Sequence, residues 1–331
     1  MPVGMLDGGP WTTIGIVLCG LVIEGILGYP APLFRLWRHP VVWIGGLIGW
    51  LDGRLNRDSL RQGQRRLNGV LALLLIAGIP ALVAALAQAL ALHWLPRPVA
   101  VLLCGAAASS LLAQRSLSSH VRAVASGLEA DGLAGGRAAV SHIVGRDPDS
   151  LDAPAVVRAA IESLAENFSD GVTAPLLWCV LLGLPGIAAY KAINTADSMI
   201  GHLSPRHHAF GWASARLDDL VNLPASRLAA AWIALAAPGR AWSSLRIVRR
   251  DAGRHRSPNA GWPEAAMAAS LGIRLAGPRD YASGRVEDPW LGDGDRPASL
   301  ADLRRALVLY RRACTIQLLA TAALLGVVAF A

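Results

Sequence analysis

The chain has 331 residues, 53% of them hydrophobic and only 16% charged, with a formal net charge of +8 and a mean hydropathy of +0.42. That balance lies outside the usual soluble range and points to a membrane protein. The Arg residues gather at the ends of apolar runs, so the positive charge reads as membrane topology facing anionic head groups or an anionic substrate, and nucleic acid is not expected as a partner.

The opening MPVGMLDGGPWTT has no basic n-region and no small-residue cleavage site, so the first apolar run, 11–31, reads as a retained span and not a signal peptide. Glu24 inside it makes the span marginal, since a crossing helix needs about 20 apolar residues. The next loop, 54–66, carries Arg54, Arg57, Arg61, Arg65 and Arg66 and is expected in the cytoplasm. Run 67–95 is long enough to cross with tilt or with a kink at Pro80, and run 98–114 is short but clean. Segment 115–170 reads as soluble helix. Within it GRDPDSLDAP is a turn, with Asp152 as N-cap and Pro154 in the first turn of the next helix. Run 172–190 is interrupted by Pro175, Gly183, Pro185 and Gly186. Broken apolar segments survive in a bilayer only when buried in protein or lining a cavity, so LGLPG at 182–186 reads as the turn of a re-entrant hairpin or the junction of two short helices. Runs 220–237 and 313–331 complete the set. Between them, 240–312 reads as an irregular polar lobe with one helix beginning near Pro263–Glu264. Trp11 and Trp94 stand at run ends, where indoles favour the interface.

The expected architecture is therefore all-α. It is one membrane-embedded domain, 1–331, with about five membrane helices, one broken or re-entrant apolar segment, and polar cytoplasmic segments at 115–170 and 240–312. The four cysteines lie far apart in apolar runs without metal-ligand spacing and read as small buried hydrophobes. No internal repeat is visible.

Four polar clusters stand out. On the helix through ESLAENFSDG, Glu162, Glu166 and Asp170 are spaced i, i+4, i+8 and form one stripe, with Asn167 beside it. Arg158 can pair with Glu162, which answers only one of three like charges. Acids entering an apolar segment suggest function, and carboxylate and carboxamide oxygens suit Mg²⁺, which usually keeps phosphate oxygens as further ligands. The second cluster, KAINTADSMIGH, sets Lys191, Asn194, Asp197 and Ser198 at helical spacings. Lys191 is the only Lys in the chain, so that position either needs a compact ammonium or reflects chance. Lys191 and Asp197 can also simply neutralise one another. The third, FGWASARLDDLVN, holds Arg216, Asp218 and Asp219, and adjacent acids on a helix cannot face the same way. The fourth, RSPNAGWPEAA, holds Asn259 and Glu264 at a helix start whose amides can bind an anion or form an ordinary capped turn. Phosphate-loop, dinucleotide and zinc-protease motifs are absent.

These stretches, together with GYPAPLFRLWRHPVVWIGGLIG and VSHIVGRDPDSLD, resemble the CobD/CbiB family of cobalamin biosynthesis proteins, adenosylcobinamide-phosphate synthases. The resemblance covers essentially the whole chain. Glu24 stands where Asp is expected before the Gly-x-Pro element. The resemblance implies a multi-pass enzyme of the cell inner membrane, with its active site on the cytoplasmic side. It implies an amide formed between the corrinoid adenosylcobyric acid and (R)-1-amino-2-propanol or its O-phosphate, with ATP as co-substrate and Mg²⁺ as cofactor. In that chemistry Glu162, Glu166, Asn167, Asp170 and Asp197 hold the metal. Lys191 and Arg216 clamp phosphate, and Asp218 or Asp219 is the base. Lys191, Asn194, Asp197, Ser198, Asn259 and Glu264 contact the nucleotide. Other late cobalamin-pathway membrane enzymes are possible partners. The competing classes are a membrane transporter, whose signature is broken helices with midplane acids, and a non-catalytic scaffold of the same pathway.

Overall fold

The computed structural model describes residues 9–29, 35, 38–145, 147–281 and 284–330. Expectations placed on residues 1–8 and on 30–31 at the end of the first run lie outside them. Helix dominates: α1 Pro10–Leu27, α2 Pro40–Leu55, α3 Gln62–Trp94, α4 Arg97–Ser109, α5 Gln114–Ala130, α6 Gly132–Val140 and α7 Ala153–Phe168. A π-turn at Ser169–Thr173 leads into α8 Ala174–Ile200. Then come α9 Trp212–Leu235, α10 Ala241–Asp251, α11 Gly261–Leu271 and α12 Leu300–Phe330. The short strands β1 Leu275–Ala276, β2 Arg279–Tyr281, β3 Gly284–Val286 and β4 Trp290–Leu291 form two antiparallel ribbons, β1–β4 and β2–β3.

Five helical stretches are long and apolar enough to cross a membrane: Pro10–Leu27, Gln62–Trp94, Arg97–Ala130, Ala153–Ile200 and Leu300–Val328. The protein is an all-α polytopic membrane protein. On α3, Leu67, Leu71, Leu74, Leu82, Leu86 and Leu90 face outward. Water would penalise that surface at roughly 25 cal/mol per Å², and lipid does not. The number of stretches matches expectation, but their membership differs. The 220–237 run falls in α9, which is not among these five, and the 153–200 stretch is. Run 313–331 is the latter part of the 31-residue α12.

The chain divides into two compact units. The first comprises the described residues of 1–113, 174–222 and 320–331. Its centre joins α2, α3 and α8 through Ile48, Ile76, Ala192, Ala196 and Phe210. Small residues let α1 meet α4 closely: a Cβ on Gly105 would stand 2.4 Å from the Cys19 Cβ.

The broken segment is α8. Gly183 has φ 70° and ψ −154°, a conformation that Cβ-bearing residues avoid. The Trp178 carbonyl oxygen lies 2.2 Å from where a Gly186 Cβ would stand. In a straight helix, residues eight apart are separated by about 12 Å along the axis, so the chain folds sharply back at Gly183. The break frees backbone groups in an apolar setting, and buried Gln88 of α3 answers this by accepting from Leu184 N at 2.8 Å. Beyond the elbow, α8 runs antiparallel to α3, from Gln88 to the level of Ala72. The following turn packs Phe210 against Gly69. Arg206 in this turn donates to Asp52 at 2.7 Å, and Arg65 donates to Asn56 at 2.7 Å, which in turn donates to the Arg206 carbonyl. Residues 201–211 therefore sit beside the Arg-rich 54–66 loop.

The second unit comprises the described residues of 114–173 and 223–319. Its core gathers Val121, Val124, Ile161, Leu164, Ile233 and Tyr310. Asp152 caps α7 as expected, accepting from Ala155 N at 2.8 Å. The 240–312 lobe is more ordered than its Gly- and Pro-rich sequence suggests, since it holds α10, α11, both ribbons and the start of α12. Buried carboxylates organise it. Fully buried Asp251 takes two bonds from Arg250 and a third from Gly292 N. Asp302 is clasped by Arg296 and Arg305. Local composition hides such long-range pairing, without which a buried charge is costly.

Candidate functional site

In the first unit, the end of α8 and the start of α9 bring one polar cluster together. Lys191, Asn194 and Asp197 recur at three-residue spacing along α8, and the Lys191 Nζ donates to Asn194 Oδ1 at 3.5 Å. From α9, Asp218 accepts from Asn194 Nδ2 at 3.3 Å and from Asn222 Nδ2, one turn on, at 3.0 Å. Tyr190 donates its hydroxyl to Asn222 Oδ1 at 2.8 Å. Two carboxamides and a phenol thus hold one buried carboxylate, Asp218, and one of those carboxamides, Asn194, also accepts from the chain's only Lys. Burial and the charge of Asp197 push the Asp218 carboxyl up to about 7, against the pull of its Asn194 and Asn222 bonds.

The adjacent acids divide as helix geometry requires. Asp218 is buried, whereas Asp219 is more exposed and pairs with exposed Arg216 at 3.6 Å. Ser198 is exposed and donates to the Asn194 carbonyl. Three participants escaped the sequence reading. Tyr190 and Asn222 were visible only as the flanks of the second and third clusters. His39, the N-cap of α2, is pushed down by burial and by the Lys191 ammonium, and its place near Lys191 had no local signal.

The acid stripe lies in the second unit, and its members face different surroundings. Glu162 is buried, pairs with Arg158 at 3.8 Å, and accepts from Ala276 N at 2.8 Å. Ala276 has φ 59°, so this bond holds a strained turn in β1. Glu166 and Asn167 are exposed, with the Asn167 carboxamide donating to the Ser163 carbonyl. Asp170 sits within the π-turn, off the i, i+4, i+8 register of an unbroken α-helix. At the fourth cluster, Ser257 Oγ accepts from Asn259 N and Ala260 N ahead of α11. Asn259 Oδ1 accepts from Ser226 and Arg227, and buried Glu264 lies 3.8 Å from His255. The turn is thus capped by Ser257 and tied to α9 through Asn259.

Among the described residues, no group of three or more His, Cys, Asp or Glu side chains is placed to hold a metal ion. Mg²⁺ does not require one, because one or two carboxylates with phosphate oxygens suffice. Asp197, close enough to Asp218 to act on its proton, fits that limited role.

The model of the CobD/Cbib protein family matches residues 17–310. The chain belongs to the CobD/CbiB family. Proteins named "Cobalamin biosynthesis protein CobD" are similar along nearly their whole length. That of Sinorhizobium sp is 50% identical over 311 residues, covering 92% of this chain and 96% of the relative. That of Rhodobacter capsulatus is 51% identical over 299 residues, covering 90% and 93%. That of Brucella suis biovar 1 is 45% identical over 309 residues, covering 89% and 91%. No solved structure matches the chain. The CobD/CbiB match begins within α1 and ends within α12, so it takes in residues of both units and all four polar clusters.

Proposed function

We propose that this chain serves cobalamin biosynthesis as a membrane-bound, ATP-dependent amide-forming ligase, joining adenosylcobyric acid to (R)-1-amino-2-propanol or its O-phosphate. Family membership and the names of the relatives support the pathway. The observation that carries the reaction type is the buried Asp218, held by Asn194 and Asn222, with Asn194 also accepting from Lys191.

A carboxylate resists attack by an amine. Transfer of the ATP γ-phosphoryl to the corrinoid carboxylate gives an acyl phosphate and ADP. The neutral amine nitrogen then forms the C–N bond as the C–O bond to phosphate breaks, and the proton it gives up leaves with inorganic phosphate. The amine is an ammonium ion in water and reacts only when neutral, so a base must first take one proton, and Asp218, whose carboxyl is pushed up to about 7 by burial and the Asp197 charge, suits the task. Lys191 offers a compact positive charge to the transferring phosphoryl group. Asn194, fixed between Lys191 and Asp218, keeps the cation and base apart. Mg²⁺, when bound, would neutralise phosphate charge with Asp197 among its ligands.

The test is purified protein in detergent with ATP, Mg²⁺, adenosylcobyric acid and each amine donor, with product read by mass spectrometry. Product from one donor, lost in Asp218→Asn, supports the ligase. A folded protein that makes none with either donor overturns it in favour of a transporter or scaffold.

A further inference from the structure

A second polar cleft lies wholly within the second unit, away from Lys191 and Asp218 in the chain. It has a volume of about 400 Å³, within the range of small-molecule sites. Its lining includes Asp152, Arg158, Arg274, Trp290 and Arg296. The Arg158 and Arg274 guanidinium carbons stand 5.2 and 4.7 Å from the Trp290 ring centroid, both within cation–π range. Two like charges gathered on one indole repel each other unless an anion comes between or beside them. Arg158 has one such anion, Glu162, at 3.8 Å, and the other acids lining or bordering the cleft serve other groups. Asp152 caps α7, Asp302 clasps Arg296 through two bonds, and Glu162 is shared between Arg158 and Ala276 N. Arg274 is exposed and has no acidic partner among the described residues. Planar guanidinium groups match oxyanions in pairs, which a point charge cannot do.

We propose that this cleft binds the phosphate group of a small phosphorylated substrate, with Arg274 and Arg158 as its cationic contacts and Trp290 as the platform that holds them. The choice of ligand rests on the amide-forming reading, which brings two phosphate sources: the polyphosphate of ATP and the phosphomonoester of aminopropanol O-phosphate. The cleft serves one of them, and the experiment separates the two.

Equilibrium binding of ATP, aminopropanol O-phosphate, unphosphorylated aminopropanol and adenosylcobyric acid is measured on the full chain in detergent, for wild type, Arg274→Ala and Arg274→Glu. Because Arg274 is exposed, thermal unfolding should not change. Loss of a charge-assisted contact should weaken one phosphorylated ligand about tenfold or more, with Glu worse than Ala. Loss for ATP alone assigns the nucleotide, and loss for aminopropanol O-phosphate alone assigns the donor. The unphosphorylated amine should be unaffected. Undiminished binding of both phosphorylated ligands to both variants, loss confined to adenosylcobyric acid, or no phosphorylated ligand bound by wild type overturns the proposal. Binding is read without turnover, so a wild type that makes no product would defeat the ligase reading and leave this measurement standing.

Discussion

At the residue scale, neighbouring identical side chains have different fates. Asp218 and Asp219 are equivalent in sequence, yet only Asp218 is buried and bonded to two carboxamides. Asp218→Asn should lower turnover by about 10²–10⁴-fold, the usual worth of a general base, while Asp219→Asn stays near wild type. The sign of the pH dependence follows from the raised carboxyl. The base works only when ionised, so the wild-type rate should climb as pH rises through about 7. A rate flat across that interval would remove Asp218 from the chemistry. Lys191→Arg should lose most activity, because a wider planar fork replaces a point charge already fitted to Asn194; equal activity would make the lone Lys an accident of composition. Within the acid stripe, Glu162→Ala should destabilise the fold by freeing Ala276 N. Exposed Glu166→Gln should abolish product if Glu166 helps hold the metal, and near-normal turnover would remove it from the site.

At the scale of elements, the elbow in α8 depends on two residues far apart in sequence. A Cβ on Gly183 would meet Gln88 Oε1 at 2.7 Å, in a backbone conformation that already disfavours side chains. Gly183→Ala should therefore destabilise through both clash and strain. Gln88→Leu leaves the Leu184 N–H without its acceptor in an apolar setting, at a cost of about 1–3 kcal/mol. Melting of the purified protein in detergent measures both, and an unchanged melting temperature for Gln88→Leu would show that the broken backbone is satisfied otherwise. The 201–211 turn depends in the same way on Asp52. Burial alone would raise its carboxyl, but bonds from Asn56 and Arg206 and the Arg206 charge hold it below the usual carboxylate range. A depressed carboxyl contributes stability above its unfolded value, and that contribution is lost as pH falls through the folded one. The Asp52→Ala penalty should therefore be full at neutral pH and vanish in strong acid.

At the scale of the whole molecule, the elbow bears on topology. The chain returns along α3 to a turn bonded to Asp52 and Asn56, beside the Arg-rich loop. That loop is expected in the cytoplasm, so the Lys191–Asp218 cluster and ATP would share a side. Single cysteines at Ser204 and at exposed Asp58, in a background lacking the four native cysteines, should react with an impermeant maleimide from the same side. Those four are free, and three of them are buried. Labelling from opposite sides would break this topology and the site that depends on it.

Membrane class, an all-α architecture, the Asp152 cap, the break at LGLPG, and Lys191, Asn194, Asp197 and Asp218 of the polar cluster were legible in the chain itself, whereas Tyr190, Asn222 and His39 were not. Each legible feature is a local property of run length, period or backbone chemistry. Family kinship was legible for a related reason, because long motifs retain their order however the chain folds. Other outcomes depend on partners remote in sequence, and only the tertiary structure decided them. They include the order within 240–312 and the choice of Asp218 over Asp219. They also include the diversion of Glu162 to Ala276 and the convergence of Arg158 and Arg274 on Trp290. A helix period states which residues share a face. What that face meets is set by packing against residues up to a hundred or more positions away, and burial, pairing and proton affinity all follow from that meeting.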